Sequence, residues 1–249
     1  FGSEKVGLDN FKFLFKSADA WIMTRNTLLY NLAFIILGTF MAVFVAYILH
    51  EIRSSLSRKV YQTLILFPGL LSVIIVSYLA NALLAGDTGF INMHILQPLG
   101  FEPISFYSEQ KWWPFIIIFV RLWQMTGTNC ILYLANMSAI DPGLYEAASL
   151  DGANRRKSFM NITLPCLVPT IITLTILSVG KIFNSDFGLF YQVPMNSGAL
   201  IDVTQTIDTY VYRGLLNTAN MGMSAAACFY QSVVGFVLVM ITNAIVRKT

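Results

Sequence analysis

The run from Ser138 to Pro169, SAIDPGLYEAASLDGANRRKSFMNITLPCLVP, is where residue types and spacing could do chemistry in an otherwise apolar chain. Asp141-Pro142 is a helix start, with Asp as N-cap and Pro at the first helical position. Leu144 to Leu150 are good helix formers, and Glu146 lies early, where the helix dipole favours an acid. Asp151-Gly152 is a stop or turn signal. A second helix is expected from about Ala153, with Pro165 and Pro169 kinking or delaying the apolar helix that follows. A short polar helix of this kind suits docking against a partner rather than bond-making. A well-ordered loop is the plainer alternative.

The second set of candidates is charge inside apolar stretches. Arg121 and Lys181 are the two clear cases, and such charges usually face a cavity or a partner helix. At 100° per residue, Arg121, Gln124, Thr128, Asn129 and Asn136 share an arc of about 140°. Thr170, Thr173, Ser178, Lys181, Asn184 and Ser185 likewise share an arc of about 140°. Two polar stripes suit the lining of a hydrophilic path. The competing reading is helix packing, with Ser and Thr bonded to backbone, Arg121 paired at an interface and Lys181 snorkelling outward.

Catalytic and metal chemistry find little support. Two His and the scattered Cys130, Cys166 and Cys228 give no metal-site spacing. All three cysteines fall in or beside apolar runs and are expected as free, buried thiols. His50–Glu51 has no third partner. The Gly-Lys pair Gly180-Lys181 lacks both the upstream Gly and the following Ser or Thr of a P-loop, so no ATP site is expected.

The elements that must position these residues are membrane spans. Of the 249 residues, 56% are hydrophobic and only 12% charged, about half the charge of a soluble domain. Mean hydropathy is +0.64. A net charge of +3 is too small a bias to suggest nucleic-acid binding. A span needs about 20 mostly apolar residues. Five stretches qualify: Thr27 to Leu49, Val60 to Gly86, Trp112 to Ile140, Ser158 to Gly180, and Gly214 to Val246, apolar from about Met221. Their length and all-round apolarity predict an all-α polytopic membrane protein, not a soluble domain or a β-barrel.

Basic residues orient the spans. Arg53, Arg58 and Lys59, then Arg155, Arg156 and Lys157, and finally Arg247 and Lys248 fall on one side. Lys111 and Arg213 fall on the other, with Lys5, Lys12, Lys16 and Arg25 of the N-terminal segment weakening the contrast. The C-terminus is therefore expected in the cytoplasm and residue 1 outside. The N-terminal segment is amphipathic, with Phe11, Leu14, Phe15 and Trp21 among Lys12, Lys16 and Asp19. It suits the outer membrane surface, or a linker after a preceding span. The first residue is Phe1, so a fragment of a longer chain is expected. Two outer segments stand out. Asp87 to Lys111, with Phe101, Phe106 and Tyr107 leading to Trp112 and Trp113, reads mostly as an interfacial aromatic belt. Phe187 to Asn220 reads as a long loop with room for a docking surface.

Glu146-Ala147-Ala148, Asp151-Gly152-Ala153, Phe159, Ile162, Leu164-Pro165, Leu167 and Pro169 together resemble the EAA motif of the membrane subunits of bacterial ABC importers. The Leu-Pro-x-Leu-x-Pro ending and the five-residue gap before Phe159 are similar to the maltose-permease-like sugar importers. Gly7-Leu8-Asp9-Asn10-Phe11 resembles the segment after the first span in that group, so the likeness covers nearly the whole chain. Within the group the texture is most similar to LplB-like permeases for oligosaccharides or polysaccharide fragments.

The resemblance implies a type I importer permease fold, with about five spans here of a six-helix core. Residues 1–26 would be an extracellular segment after a missing first span. Residues 27–249 would be the permease domain, with a cytoplasmic coupling segment at 141–157 and the extracellular loop at 187–220. Glu146, Ala147, Ala148, Asp151 and Gly152 would meet a cytoplasmic ATPase subunit: Glu146 through a basic group, the alanines by close approach, Asp151 as a local cap and Gly152 as the sharp turn. Arg155, Arg156 and Lys157 fit positive-inside charges better than motif positions. The expected partners are an ATPase dimer, a second and different permease, an extracellular solute-binding protein and lipid. ATP and Mg would sit on the partners, with no cofactor on this chain, which would not be an enzyme. Arg121, Gln124, Thr128, Lys181 and Asn184 would line the path for a carbohydrate, with Trp123, Phe183 and Tyr230 as aromatic faces. Basic lining would favour an acidic sugar. The alternatives are an ABC permease for another small polar solute, of the amino-acid or phosphonate type, and an ion-coupled secondary transporter. For the latter the sequence offers no repeat and no acidic residue in mid-span.

Overall fold

The computed structural model describes residues 9–16, 18–217 and 221–246. Lys5, Gly7, Leu8, Asn220, Arg247 and Lys248 of the sequence reading lie outside the described residues. The chain is all-α, with no strand among the described residues. In order the helices are α1 (Asp9–Lys16), α2 (Ala18–Glu51), α3 (Ser55–Leu70), α4 (Val73–Leu84), α5 (Trp113–Ser138) and α6 (Pro142–Leu150). They continue as α7 (Arg155–Ser158), α8 (Leu164–Val179), α9 (Phe187–Gln192), α10 (Ile201–Thr204), α11 (Ile207–Asn217) and α12 (Met221–Val246).

Ala18–Glu51, Gln110–Ser138, Arg155–Val179 and Met221–Thr242 are each long and apolar enough to cross a bilayer. Their surfaces suit lipid better than water. On α2 the exposed side chains include Leu29, Leu32, Ile36, Phe40, Phe44 and Ile48, a stripe at three- and four-residue spacing. A patch of that size in water would aggregate.

The second expected span differs from a straight helix. Ser55–Leu70 and Val73–Leu84 are long and apolar enough to cross a bilayer only when taken together, as a bent pair. At 16 and 12 residues they reach about 24 and 18 Å, each short of a hydrocarbon core of about 30 Å. Pro68 lacks the N–H that would bond to the fourth residue before it, which weakens the end of α3. Ser72 then caps α4, its hydroxyl accepting from the Ile75 N–H at 3.4 Å.

The helices divide into two compact units. One comprises Phe34–Leu70 and Arg121–Ser178. Its core joins Ala42, Val43, Ala46 and Leu49 of α2 with Cys130, Tyr133, Leu134 and Met137 of α5, and with Leu167 of α8. Small residues at Ala42 and Ala46 let helices approach where no water drives association.

The other unit comprises Phe1–Ala33, Leu71–Val120 and Val179–Thr249. Leu14, Ala20, Met23, Phe183, Ile207 and Ala227 form its core. Phe11 meets the Phe229 ring at 5.8 Å, and Phe15 meets Tyr230 at 5.3 Å, so α1 lies on α12. Of the aromatics expected at the interface, Phe106 and Trp113 are buried, and the Trp113 indole N–H donates to the Phe106 carbonyl at 2.7 Å. The buried Asn92 amide organises the segment before them. It donates to the Ala85, Gly86 and Ile104 carbonyls and accepts from the Ile104 N–H.

Two expectations are corrected. The described part of the expected loop, residues 187–217, is not irregular throughout, because it holds α9, α10 and α11. All three cysteines are free, but only Cys130 is buried; Cys166 and Cys228 sit on the outward sides of α8 and α12.

Candidate functional site

Helix α6 forms where local signals put it. The Asp141 carboxylate accepts from the Gly143 N–H at 2.9 Å, with Pro142 in the first helical position. At the other end Gly152 has φ +75°. The Ala153 N–H donates to the Ala148 carbonyl at 2.9 Å, and the Gly152 N–H to the Ser149 carbonyl at 3.1 Å. This pair is the Schellman arrangement, which stops a helix with one left-handed residue. A β-carbon on Gly152 would meet nothing within 4 Å, so glycine serves the backbone angle there and not the space. Asp151 is the C-cap, its N–H bonded to the Ala147 carbonyl.

The helix has two unlike sides. Leu144, Glu146, Ala147 and Leu150 are exposed, Leu150 at 90%. Glu146 makes no ion pair among the described residues. Tyr145 and Ala148 are half-buried on the other side. Ala147 therefore lies with Glu146, whereas Ala148 turns toward its own chain.

Tyr145 makes two contacts from α6, and an ion pair joins the neighbouring segments. The Tyr145 and Thr163 hydroxyls are 2.9 Å apart. The His50 and Tyr145 rings are 6.3 Å apart, and Arg155 pairs with Glu51 at 3.4 Å. Thr163 ends a π-turn, Phe159–Thr163, that links α7 to α8. The Leu164 N–H reaches back five residues to the Phe159 carbonyl. The turn has a cause two residues on. Pro165 has no N–H for the Asn161 carbonyl, and its ring crowds the preceding turn. An extra residue in the turn relieves this without ending the helix.

Of the expected path residues, Arg121, Gln124 and Thr128 lie along α5. Arg121 is half-buried, its guanidinium 5.8 Å from the Phe34 ring centre. Gln124 is buried and Thr128 exposed. Both touch the approach to α3: a β-carbon on Gly69 would lie 3.0 Å from the Gln124 carbonyl oxygen and 3.2 Å from the Thr128 hydroxyl.

Lys181 and Asn184 are not on a helix. Because α8 ends at Val179, the expected arc through Thr170, Thr173 and Ser178 does not continue to Lys181, Asn184 and Ser185. Lys181 is exposed in a turn. Asn184 sits in a segment pinned from three helices. The Asn31 amide of α2 donates to the Ile182 and Asn184 carbonyls. The Gln231 amide of α12 donates to the Phe183 carbonyl at 2.8 Å and to the Asn184 side chain at 3.0 Å. Asp208 of α11 accepts from the Ser185 N–H at 2.7 Å and from the Ser185 hydroxyl at 2.6 Å.

Sequence reasoning missed Tyr145, Thr163, Asn31, Asp208 and Gln231. For Tyr145 a signal existed, since a helical wheel of α6 sets it across from Ala147 and Leu150. The others bond across long sequence separations and leave no local pattern.

Comparison with known proteins gives three findings. The family described as "Binding-protein-dependent transport system inner membrane component" matches residues 34–249. The chain is 34% identical over 247 residues to the Bacillus subtilis polygalacturonan/rhamnogalacturonan transport system permease protein YteP, covering 99% of this chain and 76% of that one. It is 35% identical to protein LplB of the same organism, with 99% and 76% covered. A solved structure of a bacterial ABC transporter involved in the import of the acidic polysaccharide alginate superposes with a TM-score of 0.92. There the identity is 31%, over 100% of this chain and 86% of that one.

Proposed function

This chain belongs to the family of binding-protein-dependent transport system inner membrane components, a membrane transport subunit of an ABC importer and not an enzyme, and we propose that it forms the path for an acidic oligosaccharide. Two of its relatives, by their names, handle galacturonan and the acidic polysaccharide alginate. Arg121, a cation within a span, is the feature of this chain that suits such a solute. With Gln124 and Thr128 it would face the path from α5, and Lys181 and Asn184 would contribute from the turn after α8.

The observation that carries the coupling role is α6. It is a capped helix, closed by a left-handed glycine, with Glu146, Ala147 and Leu150 turned outward. We assign this side to a cytoplasmic ATPase subunit, Glu146 pairing with a basic group on it. The basic residues Arg53, Arg58, Lys59, Arg155, Arg156 and Lys157 support a cytoplasmic position for this end and for the C-terminus. Two ATPase subunits carrying ATP and Mg, a second and different permease, and an extracellular solute-binding protein complete the assembly. Closure of the ATPase dimer would move α6, open the helical core outward and receive the solute; hydrolysis would reset it.

The test is gentle detergent purification of the membrane-embedded chain, with mass spectrometry of what accompanies it. An ATPase subunit and a second permease bearing the same motif are expected. Recovery of this chain alone, under conditions that keep membrane complexes whole, would defeat the reading.

A further inference from the structure

We propose that Tyr145 is a positioning residue that ties α6 to the foot of α8, so that movement of α6 reaches that span through the Tyr145–Thr163 contact. The proposal rests on the coupling role given to α6 above. Its ground is a pair of links between α6 and the next span, one covalent and one a side-chain contact. The covalent link is the stretch from Asp151 to Asn154, which turns at the left-handed Gly152. The Tyr145–Thr163 contact bridges 18 residues and bypasses that turn.

The site of attachment is specific. Thr163 is 2% exposed and ends the π-turn. Threonines in helices commonly bond back to their own backbone. Thr27, Thr63, Thr126 and Thr173 do so here, each to the carbonyl four residues earlier. The Thr163 hydroxyl instead meets Tyr145. The π-turn is also the place where the span from Arg155 to Val179 is least regular, since Pro165 removes one helical bond just beyond it. A pull applied there acts on a joint and not on a rigid cylinder.

The two ends of the tie are held from α2. Tyr47 packs on Phe159, the first residue of the π-turn, with ring centres 4.5 Å apart, and His50 lies beside Tyr145. Loss of the hydroxyl alone therefore leaves the ring of Tyr145 in place and removes only the link.

The experiment uses the whole transporter reconstituted in liposomes, with ATP hydrolysed and solute imported measured on the same sample. Tyr145→Phe is expected to keep the ATPase subunits bound and hydrolysing while import per ATP falls by about fivefold, the equivalent of one hydrogen bond. Thr163→Val should give the same loss, and Thr163→Ser should retain the normal ratio. The double variant Tyr145→Phe/Thr163→Val should be no worse than either single one. A normal ratio for Tyr145→Phe, or losses that multiply in the double variant, would overturn the tie while leaving the coupling role of α6 standing. A wild-type complex without any ATPase subunit would overturn both.

Discussion

Gly127 of α5 faces Ile65 of α3 so closely that a β-carbon on the glycine would overlap the Ile65 carbonyl oxygen. The two helices touch backbone to backbone there. Gly69 repeats the contact from the other side, with 3.0 Å between its hypothetical β-carbon and the Gln124 carbonyl oxygen. Glycines at such crossings replace the hydrophobic drive that lipid does not supply.

Gly127→Ala must therefore push α3 away from α5. It is expected to cost about 1–3 kcal/mol, as overpacking does. Gly69→Ala, with a looser contact, should cost less. Thermal unfolding of the detergent-purified protein checks the order. Equal midpoints for Gly127→Ala and the parent would show that the crossing is slack.

At Gly152 the constraint is the backbone angle, with open space around it. Asn and Asp both tolerate the left-handed region and differ in charge. Gly152→Asp is expected to abolish uptake while leaving membrane insertion intact, by placing an anion on the docking side. Gly152→Asn should keep a measurable share. Uptake assays with a membrane-fraction blot decide between them. Normal uptake by Gly152→Asp would contradict the coupling role of this turn.

Arg121→Gln should raise the concentration of a uronate oligosaccharide needed for half-maximal uptake by about tenfold, the scale of one charge-assisted contact. Arg121→Lys should fall between. A neutral oligosaccharide, if transported at all, should be affected less. Identical shifts for acidic and neutral solutes would assign Arg121 to packing.

Asp208 binds the Ser185 backbone and hydroxyl together, and the Gln231 amide approaches it at 3.3 Å. Asp208→Ala should cost about 2 kcal/mol, since bonds to a charged group are the stronger kind. The stretch from Gly180 to Thr206 should then be cut faster by protease in intact proteoliposomes. Unchanged cleavage would mean that Asn31 and Gln231 suffice to hold it.

What the sequence made legible was local. Asp141-Pro142 and Asp151-Gly152 marked α6 to within a residue or two, because caps and stops act through neighbours. Pro165 warned of an irregularity, but whether a helix answers with a kink, a late start or a π-turn depends on its packing. The charge-free stretch from Val60 to Gly86 concealed a break, although Pro68, Gly69 and Ser72 together were its signal. The segment after Phe187 looked like a loop because its helices are short, of 6, 4 and 11 residues, with Pro194 and Gly198 between them. Asp186, whose carboxylate accepts from the Leu189 N–H at 3.1 Å, was the cue for the first of them. The polar stripe drawn past Val179 failed because a wheel assumes a helix that has already ended.

The pinned segment that follows α8 has a mechanical meaning. Slack peptide absorbs a push as entropy and passes little of it on. Residues 182–208 have little slack, since Asn26, Asn31 and Gln231 fasten the segment to the long helices α2 and α12. A load on α9 or α11 would be passed on to those helices, as through a lever and not a tether. Lengthening the segment by a few glycines would then be felt as lost stiffness, even with every side chain still present.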